Sequence, residues 1–391
     1  MRTIWSAVCA LLLGTAMPSA GWGFEVEIVV EGGSGAIYPI RWGQSDTNDL
    51  VTPYPRWESP FCVKKGSKIG VRIVWEFAEI KDDWAVVWEE LSSKVVPLQY
   101  WNDNTCIQRH SYHQPNDVHW FVDDADQWPQ WADYNIPDFI EWAFLRGDLI
   151  SLNPMEGPGG AAAYESDVFV VLDQPQAPMD PAWVSVLQVS CKWARTSVSS
   201  LGASTVLTVT LHGLGEYNGG YPGYTRYVEG SEDDGECFFL KAFIDRPNFP
   251  WGQCNDFADF LDCLITSVGA YAATAQRTNP LGLGWWFRTN LINPAGPLPP
   301  VRTDWNYHQF VLTPFSGPRV WDGCVYFEPP TTPVGWPLGW PIDTYYGGAL
   351  DVGLVEKYEV GQWQPTPTAG FVPELHTETG LQIPAWPFCD H

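Results

Sequence analysis

The 391-residue chain has few basic side chains: 21 Lys and Arg stand against 46 Asp and Glu, a net charge of −25. That sign repels phosphate backbones and anionic lipid headgroups, which excludes nucleic acid and acidic membrane surfaces as natural partners. Long apolar runs are also lacking. After the first 23 residues none approaches the ~20 residues that span a hydrocarbon core, so membrane insertion is not expected. No internal repeat is evident. What is present is an apolar content of 45% with 15% aromatic residues, enough for a sizeable core and for two domains.

Residues 1–23 carry one basic residue, Arg2, then the apolar run Ile4 to Leu13 and small residues at Ser19 and Ala20. This is the layout of a secretory signal peptide, and a secreted protein, extracellular or periplasmic, is the expectation. Cys9 would leave with it. The eight remaining cysteines are an even number, which in an oxidising compartment fits four disulfides, whereas one thiol kept free for chemistry implies a second.

From 24 to 172 the chain shows short alternating or aromatic runs such as FEVEIVV at 24, GVRIVWEF at 70, VHWFV at 118 and DVFVVL at 167, broken by Gly, Pro, Asn and Asp. They predict an all-β antiparallel domain, of the sandwich kind. The segment 173–182, with DQPQAPMDP, reads as a linker. Beyond it the period changes: Val184, Leu187, Cys191 and Ala194 recur at helical spacing, and a second helix is predicted over about 200–214. The fold class is therefore α+β, with a mixed core over 183–330 and a Pro, Gly and Trp rich tail over 331–391 that is expected to wrap the surface.

The stretch PWGQCNDFADFLDCLITSVG at 250–269 predicts the clearest helix. At 100° per residue Phe257, Leu261, Leu264, Ile265 and Val268 fall on the side of Cys254, Asp256, Asp259 and Asp262 fall on the other, and Gly269 is a natural stop. A thiol in a first helical turn faces unpaired N–H groups and the positive end of the helix dipole, which favour thiolate. Cys263 lies about 13 Å along the axis on the opposite face, too far to bond to Cys254.

Further on, YAATAQ and WWFRTNL read as strands, and DWNYHQFVLTPFSGPRVWDGCVYFE as two strands about a TPFSGP turn. If Thr313 faces Gly317, His308 lies opposite Asp322. Any odd-length turn keeps both on one face with Phe310, Leu312, Val320 and Cys324. A thiol at a buried helix start with a His and an Asp paired on a hairpin is the set of parts for thiol acyl transfer. A Cys254–Cys324 disulfide on the same scaffold is the inactive alternative.

The boxes GQC with FA shortly after it, WNYHQF and VWDG also resemble, in order and in helix-then-hairpin layout, the Cys, His and Asp boxes of the transglutaminase-like superfamily. The resemblance covers about residues 165–328. It implies a papain-like core, a Cys helix packed on antiparallel β hairpins, in which Cys254 attacks a carboxamide, His308 is the base and Asp322 orients it. The departures are Asn255, where many members have an aromatic residue, Phe310 in place of Trp, and Gly323 where Pro or Ala is common. Neither the upstream oxyanion-hole aromatic nor the calcium sites and trailing β domains of cross-linking members are recognisable, so hydrolysis is expected ahead of amine cross-linking. The expected substrate is a protein or peptide, with Gln253, Trp285 and Trp286 as substrate contacts; the two tryptophans serve equally well as core. No cofactor or metal is implied.

His110, His113 and His119 have ligand types at zinc-like spacing, but a solvated surface is the simpler reading. Two other functional classes stay open. The 23 Trp and 16 Tyr fit aromatic platforms for polysaccharide, with a carboxylate pair doing glycosidase chemistry, and a catalytically inactive binding protein fits the disulfide alternative.

Overall fold

The structure, a computed structural model, describes residues 4–10, 22–31, 37–41, 60–77, 95–102, 105–113, 132–149, 162–217, 228–231, 235–246, 249–279, 285–302, 304–305, 307–329, 331, 334–359, 362–366 and 374–377. The chain divides into one unit of Met1–Ile40 with Val51–Val171 and another of Arg41–Leu50 with Leu172–His391.

Among its described residues the first unit holds strands and no helix. Ile4–Ala10, Trp22–Glu31, Lys68–Phe77 and Ala132–Asn135 form a four-stranded antiparallel sheet. A six-stranded sheet runs in the order Ile37–Tyr38, Phe61–Lys64, Ala162–Val171, Glu141–Leu149, Val95–Asn102, Thr105–His113. One pair departs from the antiparallel expectation: Phe61–Lys64 lies parallel to Ala162–Val171, which the long connection between them permits. The run at 118–122 lies outside the described residues. In the full-length chain Ile4–Ala10 pairs with Trp22–Glu31; removal of the expected leader would take that strand away and leave Trp22–Glu31 on Lys68–Phe77.

The second unit is α+β. Its described helices are α1 (Val184–Trp193), α2 (Ser200–Leu214), α3 (Leu240–Ile244), α4 (Cys254–Ser267) and α5 (Ile342–Ala349). Ser199 starts α2 by accepting the Gly202 N–H at 3.2 Å. An antiparallel sheet joins β1 (Thr274–Asn279), β2 (His308–Thr313), β3 (Arg319–Trp321), β4 (Leu338–Pro341) and β5 (Glu374–Thr377) in the order β4-β3-β2-β1-β5. The tail thus does more than wrap the surface: β4 and β5 are the two edge strands of this sheet, and a further tail strand, Leu350–Glu359, pairs with Trp285–Thr289. Cys389 lies outside the described residues.

Helix α4 packs against β1 and β2 on one side and against α1 and α2 on the other, so it is buried all round. Here the expected two-sided pattern is corrected. Its apolar stripe is inside, and so are the acidic side and Phe260, which lies off the stripe and meets Phe243, Phe249 and Trp193 at ring distances of 5.1, 5.3 and 6.1 Å. Each apolar side chain so covered contributes about 1.5–3 kcal/mol. Each of the three carboxylates accepts a hydrogen bond within the fold: Asp256 closes a capping box with Gln253, Asp259 accepts from the Gln309 carboxamide at 2.7 Å, and Asp262 accepts the Ala275 N–H on Oδ2 at 3.2 Å while its buried Oδ1 makes no hydrogen bond. Burial pushes the Asp262 carboxyl up to about 8.

The 173–182 segment packs on the far end of α4. Leu172 and Gln176 N–H groups reach the Val268 and Thr266 carbonyls, both at 3.0 Å, and Met179 is buried. Gly269 ends the helix at φ +61°, and a Cβ there would lie 2.1 Å from the Asp173 carbonyl oxygen. Gly269→Ala is therefore expected to lower stability by about 1–3 kcal/mol, read as a lower midpoint in urea unfolding; an unchanged midpoint would refute the contact.

The raised Asp262 carboxyl makes stability depend on pH. Its contribution is fully present below the ordinary value of 3.8 and is lost as pH rises through about 8. Asp262→Asn should flatten the fall in unfolding free energy between those limits, whereas parallel profiles would mean that this carboxyl is not held protonated.

Candidate active site

Cys254 is the first residue of α4 and is 5% exposed; His308 opens β2 and Asp322 follows β3, each 1% exposed. Two neighbours place the thiol. Residues Trp251–Gly252 pair parallel with Glu216–Tyr217 just after α2, and the Gln253–Asp256 capping box turns the chain from that strand into the helix. The first turn leaves its leading N–H groups without intrahelical partners beside the thiol.

The hairpin register differs from the expected one. Thr313 faces Arg319 rather than Gly317, Leu312 faces Val320 and Val311 faces Trp321, so β3 ends one residue before Asp322. A shift of two residues keeps His308 and Asp322 on one face. They meet because the chain bends after Trp321. Gly323 lets α2 approach closely at this point, since a Cβ there would lie 2.9 Å from the Leu211 side chain. His308 Nε2 lies 2.8 Å from Asp322 Oδ2, the Cys324 N–H donates to Oδ1 at 2.8 Å, and the Tyr345 hydroxyl of α5 donates to Oδ2 at 2.6 Å.

With Nε2 taken by Asp322, Nδ1 is the ring nitrogen left for the thiol. Nδ1 is buried and makes no full hydrogen bond, and the Cys254 side chain interacts with the ring closely enough to affect its protonation. Trp305 stacks on the imidazole at 4.0 Å between centroids and 9° between planes, and is itself 5% exposed. An aromatic face over the ring favours its cationic form. Burial acts to lower the His308 pKa, but the Asp322 charge and hydrogen bond, together with Cys254, outweigh it and raise the group to about 10.

The residues expected from sequence divide three ways. Cys254, His308 and Asp322 stand together. Gln253 is buried, and its role in the structure is to cap α4. Trp285 and Trp286 lie on a strand that pairs with Leu350–Glu359, and their side chains fall outside the described residues. Cys324 places its thiol 3.9 Å from the Cys254 carbonyl oxygen, yet no disulfide joins Cys254 to Cys324. Of the possible zinc ligands, His110 and His113 lie on Thr105–His113 and His119 lies outside the described residues. Among the described residues no cluster of His, Cys, Asp and Glu is arranged to hold a metal ion, and no helix is long and apolar enough to cross a membrane.

Three members escaped the sequence reading. Trp305 sits in the DWNYHQF stretch, where sequence marks it only as a strand residue. Tyr345 lies in the tail, 23 residues past its partner. Tyr217 follows α2, and burial together with the nearby Cys254, Cys324, Tyr307 and Asp322 pushes its phenol well above the ordinary value, so it stays a hydrogen-bond donor. No protein-family model matches the chain, and no curated protein matches it.

The buried imidazolium links this site to stability. Its pKa is raised, so the contribution is fully present below 6.5 and is lost as pH rises through about 10. The excess unfolding free energy of the wild type over His308→Gln should shrink across that window by up to a few kcal/mol. A constant difference would show that the ring is neutral in the fold.

Proposed function

We propose that this protein is a secreted thiol acyl-transfer enzyme acting on a carboxamide or peptide bond, with water favoured over an amine as the final acceptor. The observation that supports it most is the buried His308–Asp322 pair at 2.8 Å facing a thiol at the start of a buried helix. The sequence boxes that carry these residues resemble those of the transglutaminase-like superfamily, and the helix-on-hairpin arrangement fits the papain-like core which that resemblance implies.

In this reading the Cys254 thiol passes its proton to His308, and the thiolate attacks the carbonyl carbon. The oxyanion forms beside the unpaired N–H groups at the start of α4, with the Tyr217 phenol as a further donor nearby. His308 then returns its proton to the departing amine, leaving a thioester on Cys254; water deprotonated by the same ring adds to the thioester carbon, the C–S bond breaks, and the acid leaves with the Cys254 thiolate and protonated His308 restored. Asp322 holds the ring in place throughout and offsets the charge it carries. Trp305 covers one face of the ring and limits the approach of bulk water.

The test is alkylation and turnover against pH for three proteins. In the wild type Cys254 should be the fastest thiol to react near neutral pH, because it opens a helix beside the His308 imidazole, whereas burial pushes the Cys191, Cys263 and Cys324 thiols well above their ordinary range. Cys254→Ala should abolish hydrolysis of a peptide anilide or primary carboxamide. Asp322→Asn should lower turnover by roughly 10²- to 10⁴-fold and bring down the alkaline limb of the profile, while leaving the thiol in place. Turnover that survives in Cys254→Ala would overturn the proposal and move the chemistry to a carboxylate pair.

A further inference from the structure

We infer that Tyr345, carried by the C-terminal segment, is a positioning residue of this site, setting how strongly the Asp322 carboxylate binds the His308 imidazolium. The consequence for catalysis rests on the thiol acyl-transfer reading; the geometry does not.

Asp322 has two oxygens and three donors. Oδ1 accepts the Cys324 N–H at 2.8 Å, and Oδ2 accepts both the Tyr345 hydroxyl at 2.6 Å and His308 Nε2 at 2.8 Å. All three side chains are 1% exposed, so no solvent competes for these positions. The Tyr345 ring is held against Phe310 and Phe327 at 4.9 and 5.8 Å between centroids, which keeps its hydroxyl from swinging away. Burial and the Asp322 charge push the phenol well above its ordinary value, so it remains a donor at every working pH.

A second donor on the oxygen that holds the imidazolium draws off part of the carboxylate's charge. This weakens the pull on His308 and keeps the ring acidic enough to hand its proton to a leaving amine. The other titratable groups facing this cluster are Cys254 on α4, Cys324 after β3, Tyr217 after α2, His212 on α2 and Tyr346 on α5. Tyr345→Phe alters none of them and keeps the ring packing.

The experiment uses the full-length chain as wild type, Tyr345→Phe, Asp322→Asn and the double variant. One readout is the low-field proton NMR resonance of His308 Nε2–H. The other is the pH dependence of Cys254 alkylation by iodoacetate, whose anion is drawn to the imidazolium. Tyr345→Phe should move the resonance downfield and raise the alkaline limb by roughly one pH unit, the scale on which one hydrogen bond to an ionised group acts. In the Asp322→Asn background it should move neither. A lower thermal midpoint with resonance and limb both unmoved would make Tyr345 a packing residue only and overturn the assignment. If the resonance shifts but peptide-anilide turnover is indifferent to Cys254→Ala, Tyr345 keeps its assignment and the acyl-transfer reading falls. If turnover needs Cys254 and the resonance is unmoved, the reverse holds.

Discussion

The second unit depends on the burial of α4 on every side. A helix that begins with Cys254 and carries Asp256, Asp259 and Asp262 cannot be enclosed by sheet and helices unless each carboxylate finds a donor or a proton. An unpaired buried charge costs far more than any one apolar contact returns. The capping box, the Gln309 carboxamide and the Ala275 amide are the local answers, together with the raised Asp262 carboxyl. Gln309 and Ala275 belong to β2 and β1, so the needs of the helix specify the strands that cover it.

The same constraint places the candidate site. β2 carries Gln309 toward Asp259 and, one residue earlier, His308 toward the helix start. Once β2 is locked to α4, the distance between imidazole and thiol follows from the backbone rather than from flexible side chains, which is what the proposed proton transfer requires. Asp322 is then a loop residue held by three separate donors, from β2, from its own turn and from the tail. The tail also supplies both edges of the sheet, so this composition-biased segment takes part in the fold's hydrogen bonding rather than decorating its surface.

The parts legible in the sequence were those written in local patterns. The helices at 184–193, 200–214 and 254–267 follow from 3.6-residue spacing, and Gly269 as a stop follows from its need for positive φ. Cys254, His308 and Asp322 were legible as types in order, and their shared face survived a wrong register because a two-residue slip preserves strand parity. The inward acidic side of α4 was not legible, because periodicity sorts polar from apolar and says nothing of a polar face that meets buried donors. The free state of Cys254 beside Cys324 was not legible either: counting cysteines gives parity, and only position gives reach.

By itself the sequence determined the helical segments, the acidic character, the change of period past residue 182 and the three residue types on which the proposed chemistry rests. These are set by nearest neighbours along the chain and by side-chain chemistry. Tertiary structure decided what joins residues far apart: Tyr345 on Asp322, Trp305 flat on His308, Tyr217 beside the thiol, and tail strands on both edges of the sheet. A hydrogen bond between residues 23 apart in the chain, or a stacked pair of rings, depends on how strands and helices are packed together, and no local repeat encodes that.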